Sequence, residues 1–174
     1  MTDIKSIDNE TLNFLLLDRV IKNPEKPALK FKQNGQWVDI SFREYFEEIK
    51  KLSFALLSLG HKKSEKIAIF SNTRMEWHLL DLAITSVSGV TVPIYPSSTA
   101  EEAQFIVENS EACWAIVETP QHWQRIKDSV NRGLLKKVIQ IDGEVEDHPN
   151  LISFRKFQGM GTEALQNSDR KSVV

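Results

Sequence analysis

The sequence contains a single cysteine, Cys113, and no long apolar run. A lone cysteine excludes an internal disulfide, and we expect it to behave as a small buried hydrophobe. A membrane-spanning helix needs roughly 18 to 20 consecutive apolar residues, and residues 1–10 lack the apolar core of a secretory signal peptide. These absences predict a cytoplasmic protein that neither spans a membrane nor is secreted.

An excess of charge of one sign is also absent. The chain has 22 Lys and Arg against 24 Asp and Glu, a net charge of -2, which creates no field able to gather nucleic acid. The four histidines show no metal-ligand spacing, and the glycines form no Gly-x-Gly-x-x-Gly pattern after a strand. We therefore expect no nucleic-acid partner, no metal site and no bound cofactor in this chain.

The composition, 41% hydrophobic and 26% charged residues, is typical of a soluble globular protein. A chain of 174 residues is long enough for one hydrophobic core. We expect one structural domain overall with three segments. They are an N-terminal helix and hairpin over residues 1–41, a parallel α/β core over 42–142, and a poorly determined tail over 143–174.

The N-terminal segment contains a helix pattern and a hairpin pattern. Leu12–Ile21 is rich in apolar residues and precedes two prolines, which predicts a helix that ends before them. Two runs of strand-forming residues, 28–31 and 37–40, flank Asn34-Gly35, a pair that tolerates the positive φ angles of a type I′ turn. The pattern predicts a β-hairpin.

From Ser41 onward helices and strands alternate. Helices are predicted at 42–59, 74–88, 100–108 and 120–131, and strands at 66–70, 90–94, 113–117 and 137–141. Alternation requires crossover connections, so it predicts an α/β fold with a Rossmann-like parallel sheet and flanking helices. In the tail we predict only short helices, near Phe154 and at 163–166.

Polar caps support these helix starts. Capping boxes are predicted for the pairs Ser41 with Glu44, Thr73 with Glu76 and Thr99 with Glu102, and a cap for Thr119 before Pro120. The last three caps, at Thr73, Thr99 and Thr119, are in phase with the strands and support the predicted register.

Ligands approach an open parallel sheet at the carboxyl ends of its strands. The loops there begin at Ser71, Tyr95, Glu118 and Asp142, and the substrate-side candidates are Asn72, Tyr95, Ser97 and Ser98. Hydroxyl groups beside a helix N-terminus can hold an anion. We favour the simpler interpretation, in which Thr99 caps a helix and Asn72, Ser97 and Ser98 form turns.

Four stretches of the sequence together resemble a known family. They are Lys66–Phe70, Ser71–Trp77 with its Asn before Glu-Trp, Gly89–Glu102 with Val-Pro-Ile-Tyr, and Asn109–Val117 with Asn-Ser-Glu-Ala. Together they resemble the opening sheet region of ATP-dependent acyl-CoA synthetases, in the adenylate-forming superfamily. The Arg-Met-Glu-Trp and Pro-Ile-Tyr-Pro-Ser-Ser-Thr-Ala-Glu-Glu segments are more similar to the long-chain fatty acid branch than to other branches.

The resemblance implies a parent enzyme that joins a fatty acid to coenzyme A, with ATP and Mg²⁺, through an acyl-adenylate. The family's phosphate loop, Thr-Ser-Gly-Thr-Thr-Gly-x-Pro-Lys-Gly, does not occur in this sequence. Residues 169–174 resemble the start of the strand that leads into that loop. We therefore expect an N-terminal fragment whose main partner is the remainder of the parent, with no catalytic residue of its own and no activity alone.

Two other hypotheses remain open. The chain could be a non-catalytic interaction module that forms a homo-oligomer through apolar surface around Trp77–Val87, or another doubly wound nucleotide-binding domain. The parent could associate peripherally with membranes, and its acyl chain length is open.

Overall fold

The structure, a computed structural model, describes residues 11–33 and 35–171. Its helices are α1 (Leu12–Lys22), α2 (Phe42–Ser58), α3 (Met75–Ser86), α4 (Ala100–Ser110), α5 (Pro120–Asn131) and α6 (Phe154–Lys171). Its strands are β1 (Pro27–Gln33), β2 (Gln36–Ser41), β3 (Lys66–Phe70), β4 (Val90–Ile94), β5 (Trp114–Val117), β6 (Lys137–Gln140) and β7 (Leu151–Ser153). The chain divides into two compact units, one up to Glu48 and one from Ile49. The predicted boundaries at residues 41 and 142 stay predictions.

The first unit contains the predicted helix and hairpin. Thr11 caps α1, its hydroxyl oxygen accepting a bond from the Phe14 N–H at 3.2 Å. Strands β1 and β2 pair antiparallel, and Gly35 between them has φ +79°. Both elements are confirmed, whereas Asn34 lies outside the described residues and the turn type stays a prediction.

The predicted capping box at the start of α2 is confirmed. The Ser41 N–H donates to the Glu44 carboxylate at 2.8 Å, and the Glu44 N–H donates to the Ser41 hydroxyl oxygen at 3.2 Å. The same carboxylate accepts from the Ser41 hydroxyl, and these bonds hold the pKa of Glu44 below its ordinary value.

The second unit is built on a five-stranded sheet in the order β4-β3-β5-β6-β7. All four strand pairs are parallel, so the predicted α/β fold with a parallel sheet is confirmed. Every residue of β5 is buried, as expected for a central parallel strand covered on both faces. Pro93 lacks an N–H donor and lies on β4, an edge strand, where proline is tolerated.

The tail is more regular than predicted. Leu151–Ser153 adds a fifth parallel strand, and α6 is one helix of 18 residues instead of two short ones. Its glycines weaken the helical pattern in the sequence, but Phe157 is fully buried and anchors the helix to the core. Residues 169–171 belong to α6, so the predicted strand start is wrong there, and residues 172–174 lie outside the described part.

At the amino ends of the strands, the Glu65 side chain connects three segments of the chain. Its carboxylate accepts bonds from the Lys62 N–H at 2.9 Å, the Trp114 indole N–H at 3.2 Å and the Lys136 ammonium at 2.8 Å. Burial raises the pKa of Glu65, but the bonds from Lys136 and Lys62 outweigh it and lower the pKa to about 2. One carboxylate therefore joins the entries to β3, β5 and β6.

The exposed apolar surface does not lie around Trp77–Val87, where the sequence predicted it. In α3, Leu79, Leu80, Ala83 and Ile84 are buried, and Trp77 and Val87 are half-buried, so an exposed face over Trp77–Val87 is wrong. Among the described residues, the exposed large hydrophobic side chains are Leu12, Leu15, Leu17, Ile21, Trp37, Leu57, Val90, Tyr95 and Phe105. Four of these nine lie on α1. No helix in residues 11–33 and 35–171 is long and apolar enough to cross a bilayer.

A close approach of α6 to α2 generates the first prediction. A Cβ at Gly161 would lie 2.1 Å from the Lys51 carbonyl oxygen, whereas a Cβ at Gly159 would meet nothing within 4 Å. We expect Gly161→Ala to lower the free energy of unfolding by about 1 to 3 kcal/mol. The control, Gly159→Ala, should be neutral or stabilising by up to about 1 kcal/mol. Urea unfolding measures both, and equal effects would contradict the contact.

His61 generates the second prediction. It is buried, neither ring nitrogen has a partner among the described residues, and burial lowers its pKa below 6.5, with Glu65 acting in the opposite direction. The unfolded chain therefore binds a proton more readily, so stability should fall as the pH drops below about 6.5.

We expect His61→Phe to flatten that loss between pH 6.5 and pH 5, and His78→Gln to leave it unchanged. Chemical unfolding at several pH values measures the slope. An unchanged slope in His61→Phe would remove His61 as its source.

Candidate functional site

The sheet order reverses beside β3, which has β4 on one side and β5 on the other. In open α/β sheets this reversal opens a crevice outside the carboxyl ends of the strands, where ligands bind. Ser71 and Asn72 follow β3, and Glu118 follows β5. The crevice is therefore the first place to examine.

An internal carboxylate fills this crevice. One Glu118 oxygen, Oε2, accepts from the Asn72 N–H at 2.7 Å, the Asn72 side-chain amide at 2.9 Å and the Ser71 hydroxyl at 3.3 Å. Burial raises the pKa of Glu118, but the bonds from Asn72 and the charge of Arg74 outweigh it and hold the pKa below its ordinary value. The carboxylate is thus ionised and fully engaged within the chain.

Arg74 joins the same group. Its Nη1 lies 3.5 Å from Glu118 Oε1, its Nε donates to Glu76 at 2.7 Å, and its guanidinium also pairs with Asp142, after β6. Burial lowers the pKa of Arg74, but Glu76 and Asp142 outweigh it and raise the pKa above its ordinary value. We call Ser71, Asn72, Arg74, Glu76, Glu118 and Asp142 the carboxyl-edge cluster.

This arrangement corrects one predicted cap. The residue that precedes α3 is Arg74, and no side chain caps the helix. Glu76 pairs with Arg74 instead of forming a capping box with Thr73, because a guanidinium offers a carboxylate two parallel bonds, here 2.7 and 3.1 Å.

The cluster's chemistry argues against a phosphate at the crevice. Three carboxylates surround one guanidinium, so the local charge is negative, and Asn72 already uses both its backbone and side-chain donors. A phosphate would have to displace Glu118. This crevice therefore gives no support to the alternative of another doubly wound nucleotide-binding domain.

The substrate-side candidates lie in different places. Asn72 and Tyr95 line a cavity of about 390 Å³ at the ends of β3 and β4, together with Trp77. Ser97 and Ser98 are not part of that lining, and Ser98 is buried. The structure therefore brings two of the four candidates together.

Two side chains of α5 form hydrogen bonds with the loop that contains Ser97 and Ser98. His122 is within hydrogen-bond distance of the Pro96 carbonyl at 3.1 Å, and Arg125 donates to the carbonyls of Pro96 at 3.1 Å and Ser98 at 2.9 Å. Because a carbonyl only accepts, His122 Nε2 is the donor, which leaves Nδ1 to accept from Thr119. The sequence analysis missed both residues, since these contacts span more than 25 positions.

Capping of α4 is confirmed. Thr99 accepts from the Glu102 N–H at 3.2 Å, and Glu102 accepts from the Thr99 N–H at 2.8 Å. The Ser98 N–H bonds to the Tyr95 carbonyl at 2.9 Å in a turn. The chain's own groups thus satisfy donors that an anion would otherwise use.

Comparison with known proteins gives one family. The model described as "AMP-binding enzyme" matches residues 17–170. A curated protein of Mycobacterium bovis, long-chain-fatty-acid--CoA ligase FadD15, is 38% identical over 142 residues, which cover 81% of this chain and 23% of that protein. The Xenopus laevis long-chain-fatty-acid--CoA ligase ACSBG2 is 28% identical over 166 residues, 93% of this chain and 22% of that protein.

Solved structures share the fold. The crystal structure of coronafacic acid ligase from Pectobacterium brasiliense superposes with a TM-score of 0.74 at 20% identity, over 84% of this chain and 29% of that one. The putative long-chain-fatty-acid CoA ligase from Rhodopseudomonas palustris gives a TM-score of 0.73. The predicted fold, that of the N-terminal region of adenylate-forming ligases, is confirmed. The chain spans less than a quarter of the length of the curated relatives described above.

The carboxyl-edge cluster generates the third prediction. We expect Glu118→Gln to lower the free energy of unfolding by about 1 to 3 kcal/mol, because Arg74 loses a half-buried carboxylate partner and an Asn72 donor meets an amide. The control is Glu111→Gln, whose carboxylate is 82% exposed and pairs with Lys66, and which should change stability by less than about 0.5 kcal/mol. Thermal or urea unfolding measures both, and a neutral Glu118→Gln would contradict the assigned role.

Proposed function

The chain belongs to the family of AMP-binding enzymes, and from that premise we propose that it is the N-terminal part of an ATP-dependent long-chain fatty acid–CoA ligase. The observation behind the proposal is the 38% identity, over 142 residues, to a protein named as such a ligase. The Arg-Met-Glu-Trp and Pro-Ile-Tyr-Pro-Ser-Ser-Thr-Ala-Glu-Glu segments of this sequence, which are similar to the long-chain branch, support the same proposal.

The proposed reaction has two steps. The fatty acid carboxylate attacks the α-phosphorus of ATP, forming an acyl-adenylate and releasing pyrophosphate. The thiolate of coenzyme A then attacks the acyl carbonyl, forming the thioester and releasing AMP. Both steps develop negative charge on phosphate or carbonyl oxygens, which must be met by fixed donors and cations.

At the crevice beside β3, the described residues do not offer such donors and cations. The cationic Arg74 is held by three carboxylates, and the crevice donors are spent on Glu118. Within residues 11–33 and 35–171, no group of three His, Cys, Asp or Glu side chains could hold a metal ion. We therefore assign neither phosphate nor Mg²⁺ binding to the described residues of this crevice, and we name no catalytic residue.

We propose a supporting role for this chain at the substrate side. Asn72 and Tyr95 would form part of a wall facing the acyl or nucleotide site, and Ser97 and Ser98 would shape the adjoining loop. The cavity shared by Asn72 and Tyr95 supports this placement. His122 and Arg125 would act as positioning residues, since they hold the carbonyls of that loop.

The wider setting follows from the same proposal. The partners would be the remainder of the parent enzyme, a long-chain fatty acid, ATP and coenzyme A. We propose a cytoplasmic parent that can associate peripherally with membranes, and we leave its oligomeric state and acyl chain length open.

The fourth prediction tests this function. We expect the full gene product to catalyse exchange of labelled pyrophosphate into ATP when a long-chain fatty acid is present, and residues 1–174 to show none. Reading the coding sequence beyond Val174 should reveal a glycine-rich Thr/Ser loop with a lysine. Thermal shifts with ATP, an acyl-adenylate analogue and flavin mononucleotide complete the comparison.

Three outcomes would overturn the proposal. Exchange by residues 1–174 alone would place the chemistry in this chain. A full product that lacks the loop and gives no exchange with any fatty acid would remove the ligase assignment. A stabilising shift with flavin mononucleotide in the short form would instead favour a doubly wound nucleotide-binding domain.

A further inference from the structure

The connector between α2 and β3, residues 60–65, contains strained backbone. Gly60 has φ +89° and Ser64 has φ +67°, in the left-handed region that non-glycine residues enter only at a cost in energy. The Ser64 N–H donates at 2.8 Å to the carbonyl of Ser88, which is itself left-handed at φ +59°. Two of the three non-glycine residues with positive φ in the described part of the chain therefore meet at this connector.

The same connector contains the buried side chain of His61. The residue is 6% exposed, and its ring centroid lies 6.0 Å from that of Trp114. A Cβ at Gly89 would lie 2.8 Å from Nε2, so the ring packs directly against the Gly89 backbone. Neither ring nitrogen has a hydrogen-bond partner within the described residues. A protonated ring would carry two N–H donors, and this place offers it no acceptor.

Glu65 is the acceptor within reach of a charged ring. Burial lowers the pKa of His61, and the charge of Glu65 acts in the opposite direction, so the carboxylate favours the protonated form. Ile84 and Gly89, which pack near the ring from the α3 side, bring no charge. The other titratable groups around the ring and this carboxylate are Lys136 and Cys113, with the exposed Lys62 and Lys63 in the connector itself.

We propose that residues 60–65 form a proton-operated switch, in which a proton on His61 moves the ring from Gly89 to the Glu65 carboxylate and releases the Trp114 indole from that carboxylate. The proton comes from solvent and converts the imidazole to an imidazolium. Gly60 and Ser64 flank the moving segment, and strained residues of this kind cluster at switch regions. All of these residues lie in the compact unit from Ile49 onward, and the switch is independent of the proposed function.

The fifth prediction follows the Trp114 indole N–H by NMR in the chain of 174 residues, from about pH 7.5 to about pH 5. Its chemical shift should titrate with a midpoint below 6.5, the ordinary value for histidine. Its protection against hydrogen exchange should fall roughly tenfold or more below that midpoint, because the indole loses its acceptor. Trp37, which is 63% exposed, is the internal reference for the pH dependence of exchange itself. Circular dichroism checks that the chain stays folded over this range.

Three variants separate the switch from other causes. His61→Phe keeps a ring in the pocket but takes up no proton, so it should abolish both changes. Glu65→Gln keeps His61 but removes the charge that favours its protonated form, so it should lower the titration midpoint. His78→Gln is the matched control, because His78 is half-buried beside a different tryptophan, Trp77, and it should leave both changes as they are.

The contrary outcomes each overturn the switch. A shift that titrates while the exchange protection stays constant would mean that the ring is charged in place, without release of the indole. Absence of titration down to about pH 5, or the same titration in His61→Phe, would remove His61 as the responding group. An unchanged midpoint in Glu65→Gln would remove Glu65 as the acceptor.

Discussion

The parallel sheet depends on half-buried carboxylates at the two ends of its strands. Strands of a parallel sheet end in loops whose polar groups need partners, and neighbouring helices leave little room for water. Glu65 supplies those partners at the amino edge, and Glu118 with Arg74 supplies them at the carboxyl edge. Each carboxylate joins segments that belong to different strands, so the strand ends keep one arrangement.

The charged side chains of the carboxyl-edge cluster stabilise the fold and are not free to bind a ligand. The crevice that binds ligands in many doubly wound proteins is closed here by Glu118, because the chain's own anion occupies the place a phosphate would take. The open cavity lies instead beside the edge strand β4, at Asn72 and Tyr95. The proposed role of Asn72 and Tyr95 as part of a supporting wall refers to this cavity and not to the crevice.

Local patterns predicted much of this fold. Alternating strands and helices between Lys66 and Gln140 were recognised because hydrophobic periodicity and caps such as Thr99 and Thr119 act over a few residues. The predicted Thr73 cap is wrong because Glu76 pairs with Arg74, which also contacts the distant residues Glu118 and Asp142. The length of helix α6, predicted as two short helices, was underestimated for a related reason: its glycines reduce helix propensity, while Phe157 packs in the core. The roles of His122 and Arg125 likewise depend on tertiary contacts that no short motif encodes.

Both borders of the five-stranded sheet are poor templates for another chain. On β4, Pro93 interrupts the row of donors, and β7 offers only three residues. An incoming strand would gain few main-chain bonds at either border. The sheet therefore resists edge-to-edge pairing with a second chain.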